Sequence, residues 1–149
     1  MDALPPWQPR KNAARIRASS IELAKAVLNA RHNLILPHLR EVLHVAVWKH
    51  TECDGKHTTR YRSEAALDAP RNLVHHEHVI PRRTLVDQLL ANPAAVEQII
   101  NSAIGCVVLR SEHAKLAAIE KANPTVTGWD RYRLADIPVW DLAERRQVV

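Results

Sequence analysis

Apolar positions in this chain recur mostly at helical spacing, and two short β-branched runs interrupt them. From Ser19 the pattern is helical: Ile21, Leu23, Ala24, Val27 and Leu28 form one stripe, and Ser19 followed by Glu22 reads as a capping box. Pro37 suits the first turn of a second helix, in which Leu39, Val42, Leu43, Ala46 and Val47 face a core while Arg40, Glu41 and Lys49 face water. After the turn pair Asp54-Gly55, residues 58–62 become strand-like. Val74, Val79 and Ile80 favour a strand, which Pro81 ends because it has no backbone donor. Residues 84–90 and 93–104 carry helical stripes, and Gly105 stops the second. Residues 106–109 form a short buried strand, and Ser111 reads as the cap of a helix running through Leu116 and Ile119 to Lys121. Residues 127–133 suggest a further helical turn, and 137–140 a closing edge segment.

These elements predict an α+β fold, mostly helical, in one domain of 149 residues. Its parts are an N-terminal arm (1–18), a helical scaffold (19–50), a core (58–121) and a C-terminal segment (122–149). The arm holds three prolines in its first ten residues, so it is expected to pack Trp7 on the body or to fray.

Composition narrows the class only modestly. The apolar fraction of 46% and charged fraction of 25% are ordinary for a globular chain. No apolar run approaches the roughly 18 residues of a membrane helix, and no secretory apolar segment opens the chain, so a cytoplasmic protein without membrane contact is expected. Cys53 and Cys106 do not make a disulfide framework and are expected as free thiols.

Charge adds more, because it is uneven. Residues 1–62 hold 11 Lys and Arg against 5 Asp and Glu, a net of +6, whereas the remaining 87 residues carry 10 against 11. A basic region beside a near-neutral one favours a phosphate-backbone partner through Coulomb attraction and counterion release. Arg60 and Arg62, on the strand-like segment, can reach phosphate.

The chemistry concentrates in Leu73-Val74-His75-His76-Glu77-His78-Val79-Ile80-Pro81-Arg82-Arg83. A carboxylate beside a histidine suits phosphate chemistry, since Glu77 can hold a divalent cation while neutral His78 takes a proton from water. One ligand is too few for a metal. The second candidate is His113, in the first turn of the helix that Ser111 opens, where the helix dipole favours a neutral imidazole. His75 and His76 stay open between contacting a phosphate and completing the metal shell. Arg82, Arg83 and Lys115 are further candidate phosphate contacts. His32, His38, His44 and His50 recur every six residues, which scatters them around a helix, so they are expected at the surface or at caps. A rival site is a zinc held by His50, Cys53, His57 and Cys106.

Here the chain resembles the HNH nucleases of the ββα-metal fold. Glu77-His78-Val79-Ile80-Pro81 is similar to their Asp-His-Ile-x-Pro segment, with Glu for Asp. Val108-Leu109-Arg110-Ser111-Glu112-His113-Ala114-Lys115 is similar to their Leu-Cys-x-x-Cys-His-x-x-Lys segment, with Leu109 and Glu112 at the cysteine positions and Ile104 near the place of the middle Asn. The resemblance implies a ββα-metal core with helices inserted between its strands, Glu77 and His113 as metal ligands, and His78 as general base. It also implies a DNA endonuclease, with DNA favoured over RNA, and with Mg²⁺ or Mn²⁺ expected before Zn²⁺ or Ni²⁺. The alternative is a decayed scaffold that binds DNA or a protein partner, for example to inhibit a nuclease complex.

Overall fold

The computed structural model describes residues 4–149; the first three residues of the expected arm lie outside the described residues. The chain is α+β and mostly helical, and it divides into two compact units, each discontinuous in sequence.

The helical unit joins Arg10–Cys53 to Ile80–Ile104. It contains α1 (Ala13–Asn29), α2 (Leu36–Thr51), α3 (Arg82–Ala91) and α4 (Val96–Asn101). Their apolar stripes meet in one core of Ala24, Leu28, Leu43, Val47, Leu85, Leu89 and Ile100, all within 2% of full burial. Each buried Leu or Ile contributes about 1.5–3 kcal/mol, so this cluster holds the unit together. The helices inserted after Pro81 thus share a core with the N-terminal pair.

α1 begins six residues before the expected start at Ser19. Residues 13–18 are Ala-rich, and buried Ala13 costs no side-chain entropy, so the helix extends through them. Ser19 is then interior, Ser20 Oγ donates back to the Ile16 carbonyl at 2.8 Å, and Glu22 pairs with Lys25, so the predicted capping box does not form. Pro37 does sit in the first turn of α2. His32 and His38 are exposed as expected, but His50 is buried, and burial lowers its pKa.

The sheet unit holds Asp54–Val79, Gly105–Val149 and the arm up to Pro9. Its five strands are β1 (Tyr61–Ser63), β2 (Val74–His78), β3 (Gly105–Leu109), β4 (Val139–Asp141) and β5 (Arg146–Gln147), in the order β2-β3-β1-β4-β5. β1 and β3 run parallel, and the other pairs are antiparallel. β4 is therefore internal, because β5 adds an edge that two residues of polar sequence gave no sign of. Two helices follow the strands, α5 (Arg110–Ala122) after β3 and α6 (Trp129–Leu134) before β4. The arm is tied down where Trp7 Nε1 donates to the Thr58 carbonyl at 3.0 Å.

α5 starts directly from β3 and is not capped by Ser111, which is exposed within its first turn. Glu112 does that work: its Oε2 accepts the Leu109 N–H at 2.8 Å and the Ser63 hydroxyl at 2.6 Å, fixing the helix start to β1. Cys53 and Cys106 are both buried, and no disulfide joins them. Among the described residues, no helix is long and apolar enough to cross a membrane.

Candidate metal centre

β2 is an edge strand, and its alternation sorts its side chains. Val74, His76 and His78 point to one face, and His75 and Glu77 to the other. The antiparallel register sets His75 opposite Val108 and Glu77 opposite Cys106. The α5 and α6 helices lie on the Glu77 face, since each sends a side chain to its carboxylate.

His113, the fourth residue of α5, places Nδ1 against Glu77 Oε2 in a short hydrogen bond. The other oxygen of that carboxylate belongs to Arg131 of α6, whose Nη2 lies 3.1 Å from Oε1. Arg131 is 1% exposed; the same nitrogen donates to the carbonyls of His78 and Val79, and Nη1 reaches Glu120 at 3.4 Å. A buried guanidinium needs such partners, and here they lock the end of β2 in place. His75 stacks on His113 with ring centroids 3.9 Å apart and planes 27° from parallel. Burial, and then the neighbouring His113 ring, lower the pKa of His75 and keep it in the neutral form that can donate a lone pair.

His75, Glu77 and His113 each offer one ligand atom, and these atoms lie within 4.8 Å of one another. Two imidazoles and a carboxylate with one oxygen anchored by Arg131 fit a divalent cation of intermediate softness. Sequence reasoning pairs Glu77 with His113 and leaves His75 open. The period-2 rule across β2 is the signal that adds His75, since residues 75 and 77 share a face.

The same rule separates His78 from the cluster. Its ring contacts His76 on the far face, with centroids 5.2 Å apart, rather than standing beside Glu77 as expected. His76 is only 5% exposed and holds Nδ1 2.9 Å from the Lys56 carbonyl, and burial pushes its pKa down to about 4, so it is not placed to meet a substrate phosphate. Arg60 is not free for phosphate either: it forms a two-pronged pair with Asp141 at 2.8 and 2.6 Å and reaches Glu144 at 2.9 Å. Arg62 is turned inward, donating to the carbonyls of His57 at 2.8 Å and Leu67 at 3.2 Å. Lys115 is exposed but two positions beyond His113, roughly 200° around the helix. Arg82 and Arg83 are exposed and belong to the helical unit. The rival zinc ligands divide between the units, His50 and Cys53 in one and His57 and Cys106 in the other. His75, Glu77 and His113 are the one potential metal-ligand group among the described residues.

Sequence reasoning missed Arg131 altogether, since nothing in Trp129-Asp130-Arg131-Tyr132 distinguishes a buried arginine from a solvated one. Comparison with protein-family models, with curated proteins and with solved structures finds no match to this chain, so the site is read from its own geometry.

Proposed function

We propose that the protein is a metal-dependent endonuclease of the HNH type that hydrolyses phosphodiester bonds, with His75, Glu77 and His113 holding the cation. The convergence of these three side chains, from an antiparallel strand pair and the helix that follows it, carries the reading. Strand, strand and helix stand in the ββα order that the resemblance implies, with the intervening helices set into the other unit. A divalent cation there would polarise a phosphoryl oxygen and make a bound water more acidic. Arg131 fixes the Glu77 carboxylate, and the His75 and His113 rings complete the donor set. The donor set shifts the expected metal toward Mn²⁺, Zn²⁺ or Ni²⁺ and away from Mg²⁺, which prefers oxygen.

His78 keeps the role of base in this proposal only for a water that approaches past the end of β2, where it is the last residue and partly exposed. His78→Ala tests this: cleavage reduced about a hundredfold supports the role, and full cleavage removes it. The reaction itself is tested by plasmid nicking with Mn²⁺, Zn²⁺, Ni²⁺ or Mg²⁺ and with EDTA. Metal-dependent nicking that disappears in His113→Ala supports the proposal; intact DNA at ample protein and metal sinks it.

One observation favours a second reading, a scaffold that binds without cutting. Glu77 already has a partner at each oxygen, so the cluster is electrostatically closed without a cation. That reading predicts binding to DNA or protein that is indifferent to EDTA and to Glu77→Ala.

A further inference from the structure

The candidate centre draws on two elements, His75 and Glu77 from β2 and His113 from α5, so its geometry depends on how α5 is turned about its own axis. That helix lies against β2 and β3 and starts at Arg110 with no loop after the last residue of β3. β2 and β1 flank β3 on opposite sides. Glu112 and His113 are neighbours in the first turn of α5, about 100° apart around the helix, so their side chains diverge. His113 goes to Glu77 of β2, and Glu112 goes to Ser63 of β1. The first turn therefore straddles β3, with a hydrogen bond on each side.

Ser63, the last residue of β1, is fully buried. It shares a face with Tyr61, which the register sets beside Cys106 and so on the Glu77 side of the sheet. Its hydroxyl donates to Glu112 Oε2 at 2.6 Å, within the range of O–H···O⁻ bonds, and the Leu109 N–H donates to the same oxygen at 2.8 Å. An apolar contact would join α5 to β1 without the cost of burying a carboxylate. What the hydrogen bond adds is a direction. Turning α5 by about 20° would carry a ring about 6 Å from its axis through roughly 2 Å, several times the tolerance of about 0.5 Å within which a binding constellation works.

We propose that Ser63 and Glu112 are positioning residues for the candidate metal centre: their hydrogen bond sets the rotation of α5 so that the His113 ring stands against Glu77 and His75 before a cation arrives. The inference rests on the reading of His75, Glu77 and His113 as ligands, and it gives neither positioning residue a contact with metal or substrate.

Ser63→Ala removes the donor, and isosteric Glu112→Gln weakens the bond while leaving the Leu109 N–H an acceptor. Two quantities are read on protein shown to be folded by circular dichroism: the ring nitrogen shifts of His113 in metal-free, isotope-labelled protein, and the calorimetric affinity for Mn²⁺ or Zn²⁺. Both variants are expected to displace the His113 shifts and to bind metal about tenfold more weakly, at the low end of the loss typical for an outer partner of a ligand. Asp141→Asn breaks a buried ion pair of the neighbouring β4 and is the control for lost stability; it should move neither quantity. Wild-type shifts and affinity in Ser63→Ala and Glu112→Gln overturn the inference, as does an equal change in Asp141→Asn, the mark of a general loosening. If Ser63→Ala does not fold, Glu112→Gln alone decides. A wild-type protein that binds no metal would sink the ligand reading, while the His113 shifts would still decide whether the Ser63–Glu112 bond sets the ring; tight metal binding unchanged in both variants would sink the positioning role alone.

Discussion

In the sheet unit Glu77 and Asp141 are buried carboxylates that each face an arginine, and they are built differently. Asp141, wholly buried in β4, gives both oxygens to Arg60, and Oδ1 also takes the N–H groups of Ala143 at 3.0 Å and Glu144 at 3.2 Å. Burial alone would raise its pKa, but the Arg60 hydrogen bonds and these N–H donors overcome that and hold it below the ordinary carboxylate value. Glu77 gives only Oε1 to its arginine, and Oε2 hydrogen-bonds the His113 imidazole, with His75 in the same ligand group. The saturated carboxylate is a structural tie, with no lone pair directed at anything else. Glu77 is oriented by a guanidinium at one oxygen and meets at the other an imidazole of the same candidate donor set, so a cation entering there would displace one hydrogen bond and leave the ion pair in place, as expected of a metal ligand.

Substitution at the two carboxylates should separate these roles. Glu77→Gln is expected to weaken Mn²⁺ or Zn²⁺ binding by more than about a hundredfold, since loss of a direct ligand exceeds the 10–100-fold typical of an outer partner. It should also destabilise the fold by about 3–5 kcal/mol, because buried Arg131 loses its buried charge partner and keeps only the more exposed Glu120 at 3.4 Å. The double variant Glu77→Gln/Arg131→Met should recover most of the stability and none of the metal binding. Calorimetric metal titration beside urea unfolding checks both, and metal affinity retained in Glu77→Gln would collapse the distinction.

Arg131→Lys comes next in size. Lysine keeps the charge but cannot reach Glu77, His78 and Val79 with one planar group, so metal affinity should fall about 10–100-fold. A purely structural arginine would instead lower the melting temperature while the surviving folded protein bound metal normally. Titration on protein shown to be folded by circular dichroism distinguishes the two.

Asp141→Asn should do the reverse. Arg60 is about a third exposed and water can take over part of its solvation, so the loss is discounted to about 1–3 kcal/mol of stability. Metal affinity should stay within about twofold of wild type. A larger change in metal binding would mean that the two carboxylates are coupled through the sheet.

The sequence carried the local parts of this arrangement and not the tertiary ones. Apolar periodicity located α2, α3, β2, β3 and α5 because each buries one stripe or one strand against a core. Glu77 and His113 stood out because a carboxylate and an imidazole beside apolar runs need a partner. Strand alternation also held the information that joins His75 to Glu77 and turns His78 away. What stayed illegible depends on contacts far apart in the chain. Arg60 and Arg62 look like phosphate contacts until Asp141 and the His57 carbonyl appear beside them, 81 and 5 residues away. Arg131 reads as a solvated charge until β2 is packed over it. The Ser19 cap was a local signal outweighed by six residues of good helix formers before it.

The far face of β2 gives the smallest and most specific test. His76 is buried with its pKa down at about 4, against 6.5 for a free side chain. Between those values the unfolded chain binds a proton that the folded one refuses, so stability should fall as pH drops from 6.5 toward 4. The slope from this residue is at most about 1.4 kcal/mol per pH unit. His76→Gln removes the titrating group and should flatten the pH dependence of urea unfolding by about 1 kcal/mol per unit between pH 6.5 and 5. His75 contributes in the same direction, since its pKa is also lowered, so some slope should survive in the variant. Metal affinity at pH 7.5 should not change, because His76 points away from Glu77. If His76→Gln weakens metal binding as Glu77→Gln does, the two faces of β2 are not chemically separate, and the assignment of ligands by strand alternation fails with them.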